Sequence, residues 1–153
     1  MHNNECRIES LELRMMMGSM ICLTADRRYR MQKENIIKEK SYIFALEIIK
    51  LVRKFPNNNE GSIIGKQLLK SATSIGANVE EAVGAFIKND FIYKMGLALK
   101  EARETNFWLR LVRDSHMIDI EIKSYIRSSE ELRKILIAIV KKARINNADH
   151  SAF

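Results

Sequence analysis

At 153 residues, 46% hydrophobic and 29% charged, the chain is long enough for one domain with a core of its own. A net charge of +7 favours contact with polyanions, though it is moderate beside many ribosomal or chromatin proteins. One Pro and six Gly leave long helices free to form, and no apolar run reaches the ~18–20 residues of a membrane span. Cys6 and Cys22 both precede the first helical pattern, which excludes a disulfide-stapled core.

Residues 1–33 stand apart. Met1, Met15, Met16, Met17, Met20 and Met31 fall here, helical periodicity does not persist, and Gly18 interrupts the middle. The segment Met15–Ala25 has the apolarity of a signal sequence, but Glu5, Glu9 and Glu12 upstream suit a secretory leader poorly, so a cytoplasmic protein is expected. Arg27, Arg28 and Arg30 leave two readings open: a basic arm on nucleic acid, or translated sequence upstream of a start at Met31. The second is preferred, because regular structure begins directly afterwards. Residues 1–30 carry five basic and four acidic side chains, so the remainder keeps a charge of about +6.

The first helix is expected from Glu34 to Phe55. Ile37, Phe44, Ile48, Leu51 and Phe55 recur at helical spacing, and Ile36, Ile43, Ile49 and Val52 widen the stripe towards a second neighbour. Pro56 and Asn57-Asn58-Asn59 stop this helix and cap the next. The second is expected from Glu60 to Phe86, with Ile64, Leu68, Ala72, Ile75, Val79, Ala82 and Phe86 as a coiled-coil-like seam. Ser71, Asn78 and Ala85 form a small, polar stripe beside it. Gly65, Gly76 and Gly84 point to close backbone approach, since each costs roughly 1 kcal/mol relative to Ala when exposed in a helix.

The third helix, expected from Asn89 to Arg113, has the cleanest heptad: Phe91, Met95, Ala98, Ala102, Thr105, Leu109 and Val112. Leu97, Glu101, Glu104, Trp108 and Leu111 form an adjacent stripe. Only Ile87-Lys88-Asn89 separates it from the second helix, so the two are expected to fold back as a hairpin with Lys88 or Asn89 at the turn. The fourth is expected from Ile118 to Arg144, on a seam of Ile118, Ile122, Tyr125, Ser129, Leu132, Leu136 and Ile139. Asp119 is expected in its first turn and Lys141, Lys142 and Arg144 in its last, with Asp119–Lys123 and Glu130–Lys134 as ion pairs. The body is then residues 34–145, and 146–153 a frayed tail. The expected fold is all-α, an antiparallel up-down-up-down four-helix bundle of helices about 35–40 Å long.

Di-metal bundles need Glu residues on two helices and Glu-x-x-His on the other two. Glu101-x-x-Glu104 has the spacing and Glu81 could face it, but His2 and His150 lie in tails and His116 in a turn. Metal binding is therefore disfavoured, and Ser74, Asn78, Glu81, Glu101 and Glu104 are expected to form a partly buried hydrogen-bond network that sets helix register. No Cys/His pair, Ser/His/acid set or Gly-rich phosphate loop offers catalysis, and Trp108 reads as a packing anchor, so no enzyme and no cofactor are expected. Lys66 and Lys70 on the second helix, and Arg103, Arg110 and Arg113 on the third, are the candidate phosphate contacts, set against an ordinary solvated surface.

Ser74-Ile75-Gly76-Ala77-Asn78-Val79-Glu80-Glu81-Ala82 resembles the signature of the four helix bundle protein family, also called the 23S ribosomal RNA intervening-sequence protein family. Lys88, Asp90 and Phe91 match its turn, and Ala98, Glu101 and Glu104 its next helix. Glu39-Lys40-Ser41-Tyr42, Phe55-Pro56 and Gln67-Leu68 are similar to its upstream part, so the resemblance spans about residues 35–145. Ile87 departs from it where a capping Ser is common, and the first thirty residues have no counterpart. The resemblance implies a bacterial, cytoplasmic, non-enzymatic homopentamer. Some members are encoded inside intervening sequences of ribosomal RNA operons. A distant branch serves diversity-generating retroelements, with a basic pentamer binding nucleic acid and reverse transcriptase. Implied partners are thus other copies of the chain, then RNA or another nucleic acid, with a neighbouring protein such as a reverse transcriptase as the alternative. Five copies would gather about +35 of charge on one particle, so weak phosphate contacts would act together. The wide apolar face of the first helix and the small, polar stripe of the second are the candidate intersubunit surfaces.

Overall fold

Pro56 cannot continue a helix, and the chain turns there between two helices. The computed structural model describes residues 36–148, so the expectations for residues 1–33 and for 149–153 lie outside it. Among the described residues all regular structure is helical: α1 over 36–52, α2 Asn59–Val83, α3 Lys88–Asp114 and α4 Lys123–Ala148, with no strand. No helix among them is long and apolar enough to cross a membrane.

The α1–α2 connection follows its sequence closely. At the end of α1 the backbone tightens, Lys54 N–H donating to the Leu51 carbonyl and Phe55 N–H to that of Val52. Asn58 then caps α2: extended at φ −132° and ψ 177°, it accepts the Gly61 N–H on Oδ1 at 2.8 Å. Gly65 lets α1 and α2 approach, since a Cβ there would lie 3.1 Å from Val52 Cγ1 and 3.3 Å from Phe55 Cδ2.

One hydrophobic cluster draws on all four helices, with Phe44, Ile48 and Leu51 from α1, Leu68, Ile75 and Val79 from α2, Met95 and Leu109 from α3, and Leu132 and Leu136 from α4. The α3 heptad from Met95 to Val112 is buried throughout. Contacts fix the order of pairing. Ser71 meets Thr105 and Glu81 meets Lys94, so rising positions on α2 meet falling positions on α3. Lys38 likewise pairs with Glu80, and Gly65 with Val52, between α1 and α2. At the start of α3, Lys88 Nζ donates to the Asn146 carbonyl of α4, and Asn147 Nδ2 to Asn89 Oδ1 at 3.0 Å.

Three expectations about boundaries need correction. The α2 seam does not reach Phe86: α2 ends at Val83, Gly84 is its C-cap, and Phe86 lies fully exposed in the turn. The turn is thus 84–87, and Lys88 and Asn89 belong to the first turn of α3. Second, α4 starts at Lys123 and not at Ile118, because Glu121 Oε1 accepts the Lys123 N–H at 3.0 Å and sets the start there. That bond also draws the Glu121 carboxyl below its ordinary pKa. Asp119 is therefore outside the helix and cannot make the expected helical pair with Lys123; Glu130 and Lys134 share α4 but form no ion pair among the described residues. Third, α4 runs through Ala148, past the boundary expected at 145, so Lys141, Lys142 and Arg144 lie before its last turn.

Ile87 is the α3 N-cap at φ −111° and ψ 141°, the right backbone with the wrong side chain, and it makes no capping bond. Ile87→Ser supplies that acceptor, and thermal unfolding should show a gain of about 1 kcal/mol. An unchanged midpoint would argue against an uncapped α3.

Among the described residues four hydroxyl side chains are buried in the apolar interior, one from each of α1 to α4: Ser41, Ser71, Thr105 and Ser129. Ser129 Oγ has no hydrogen-bond partner among the described residues. Ser129→Ala removes that unmet group and is expected to stabilise the fold by about 1 kcal/mol in urea titration. Loss of stability would mean the hydroxyl has a partner after all.

Candidate nucleic-acid interface

The expected polar network does not assemble. Asn78 Nδ2 donates to the Ser74 carbonyl one turn earlier, at 2.8 Å. Glu81 is exposed and pairs with Lys94, whose pKa the hydrogen bond to Glu81 raises. Glu104 Oε1 accepts Trp108 Nε1–H at 3.3 Å within α3, and Glu101 offers its carbonyl to Thr105 Oγ1 at 2.8 Å. Asn78 and Glu104 thus bond within their own helices and Glu81 to a lysine, while Ser74 and Glu101 take part through their backbone carbonyls. Among the described residues no three His, Cys, Asp or Glu side chains come together as a metal set, and His116 lies exposed after α3.

Among the described residues a buried side-chain hydrogen bond does cross between helices, from Thr105 Oγ1 to Ser71 Oγ at 3.0 Å. Ser71 Oγ also reaches the Leu68 carbonyl at 3.2 Å, as Thr105 does that of Glu101. Thr105 in the α3 seam and Ser71 in the polar stripe beside the α2 seam were the signal for this pair. Ser71 is consumed inside the chain, which removes it from the stripe expected to face another subunit.

The five candidate phosphate contacts are all exposed. The Ser71–Thr105 bond places Lys66 and Lys70 on α2 along the same stretch as Arg103 and Arg110 on α3. These four form no ion pair among the described residues. Arg113 differs: its Nε and Nη2 donate to Asp114 at 2.7 and 3.1 Å, lowering the Asp114 carboxyl pKa and raising that of the guanidinium. A fork already engaged by a carboxylate is a poor phosphate ligand, so Arg113 stands apart from the other four. Lys100, exposed on α3 between Gly96 and Arg103, is a cation that the sequence reading passed over.

The description "23S rRNA-intervening sequence protein" matches residues 33–138. A crystal structure of a protein of unknown function from the S23 ribosomal protein family, from Bacteroides thetaiotaomicron, is similar to the chain. The two are 42% identical, with a TM-score of 0.65 over 71% of this chain and 98% of that one. No curated protein matches. The match over most of α1–α4, together with the likeness in structure, places this chain in the 23S rRNA-intervening sequence protein family.

Proposed function

We propose that this protein is a non-enzymatic, cytoplasmic, homo-oligomeric RNA-binding protein whose four helices form an antiparallel up-down-up-down bundle, assembled as a pentamer. The observation that carries the RNA reading is the group Lys66, Lys70, Arg103 and Arg110, exposed and in no ion pair among the described residues, with Arg110 alone feeling a nearby carboxylate, that of Asp114. Exposed cations unneutralised by neighbours gain most from phosphate, because nothing must be broken to bind it. The opposite order of residue pairs between α1 and α2, and between α2 and α3, supports the antiparallel arrangement.

Self-association is supported by the outer face of α1, where Ile43 of the widened apolar stripe stays exposed beside Tyr42 and Leu46. Repetition of the cationic group around a ring would multiply weak contacts. Light scattering after size exclusion should give five times the chain mass of 17.8 kDa, whereas a monomer at micromolar concentration overturns the assembly. Fluorescence anisotropy with labelled RNA should show binding that weakens from low to physiological salt. Absence of binding at low salt overturns the RNA reading.

A further inference from the structure

The outward side of α3 carries a second repeat, distinct from the buried seam. Tyr93, Lys100 and Phe107 are seven apart, and so are Gly96, Arg103 and Arg110. Together they step by three and four along one face, over about 25 Å at 1.5 Å per residue. A heptad on the core side is explained by packing. This one faces solvent, with Tyr93 63% and Phe107 49% exposed and the three cations exposed between them. The Phe107 ring is held in place: it stands edge-on to Trp108, centroids 5.1 Å apart at 72°, and Trp108 packs against the core and bonds to Glu104. A Cβ on Gly96 would meet nothing within 4 Å, so no neighbouring side chain among the described residues demands a glycine there. The bare helix gives the stripe a low point between Tyr93 and the cations.

Alternating aromatic faces and cations match single-stranded nucleic acid. Its unpaired bases stack on rings while its phosphates meet the charges. In a duplex the bases are already stacked, and exposed rings on a convex helix would have nothing to receive. The patch of Tyr42, Ile43 and Leu46 on α1 has one ring beside two aliphatic side chains and carries no such alternation. We propose that the outer face of α3 is a track for single-stranded RNA or DNA, with Tyr93 and Phe107 as stacking platforms and Lys100, Arg103 and Arg110 on the phosphates. This rests on the nucleic-acid reading above and narrows it to unpaired strands.

The test uses the full chain with dye-labelled 20-nucleotide single strands and duplexes of RNA and of DNA, read by anisotropy across a salt series. Single strands should bind at least ten-fold tighter than duplexes. Phe107→Leu, which keeps bulk but removes the ring, should weaken single-strand binding about ten-fold with the salt slope unchanged, and Phe107→Tyr should restore it. Arg103→Gln should instead reduce the slope by about 0.7. A duplex bound as tightly as a single strand, or Phe107→Leu with unaltered affinity, overturns the track while leaving nucleic-acid binding intact. Should Phe107→Leu change the assembly mass seen by light scattering, the face belongs to a second copy of the chain and the track is likewise overturned. Failure of every nucleic acid to bind at low salt removes the parent reading and this one together.

Discussion

Gly61→Ala is expected to destabilise the fold by about 2–3 kcal/mol, lowering the urea midpoint by roughly 1 M. Gly61 is buried in the first turn of α2, and a Cβ on it would sit 2.2 Å from the Pro56 carbonyl oxygen and 3.1 Å from Asn58 Oδ1. The first of these is backbone, fixed by the proline, so the turn itself must move. The second is the capping oxygen, whose bond to Gly61 N–H would be strained by the same shift. Against this stands a gain of about 1 kcal/mol from the better helix propensity of alanine. Gly96→Ala is the natural control, since open space surrounds that position and only the propensity gain should register. The same chemical change should thus move the two midpoints in opposite directions. A Gly61→Ala midpoint equal to or above that of the parent would contradict the geometry of this turn.

The second large effect concerns charge. Replacing Lys66, Lys70, Arg103 and Arg110 together by Gln takes the net charge from +7 to about +3 per chain. If each meets a phosphate of a single strand, the slope of log K against log salt should shrink by about 3, and low-salt affinity should fall by two orders of magnitude or more. Stability should hold, because all four side chains are exposed and form no ion pair among the described residues. Adding Arg113→Gln should do little more, since its guanidinium is already taken by Asp114. An unchanged salt slope in the fourfold variant, with binding intact, would move the interface elsewhere.

The interior was largely legible from periodicity. The α3 seam from Met95 to Val112 is buried position by position, and Asn58 caps α2 through the side chain that its neighbourhood with Pro56 suggested. Boundaries were less legible, because they turn on single local bonds. Glu121 starts α4 through one backbone N–H, and Gly84 ends α2 although the apolar spacing continues to Phe86. The polar signature misled for a related reason. Glu81 and Glu104 lie beside the seam, where Lys94 on α3 and the Trp108 indole one turn away satisfy them more cheaply than burial would. The exposed repeat on α3 was present in the sequence too. It was hidden because a heptad is ordinarily read as core, and only exposure separates the inner repeat from the outer.

The buried Ser71–Thr105 pair has a property that its distances alone do not display. Three contacts are within reach: Ser71 to the Leu68 carbonyl, Thr105 to the Glu101 carbonyl, and one hydroxyl to the other. Only two protons are available, so two bonds can form at once between the hydroxyls and these acceptors. The short chain of bonds can run from α3 into α2 or from α2 into α3, reversing its polarity by proton rotation alone, with every heavy atom at rest. Both orientations satisfy the same number of donors. A slip of either helix by one residue abolishes both at once, so the pair retains orientational freedom in the correct alignment and withdraws it from every other.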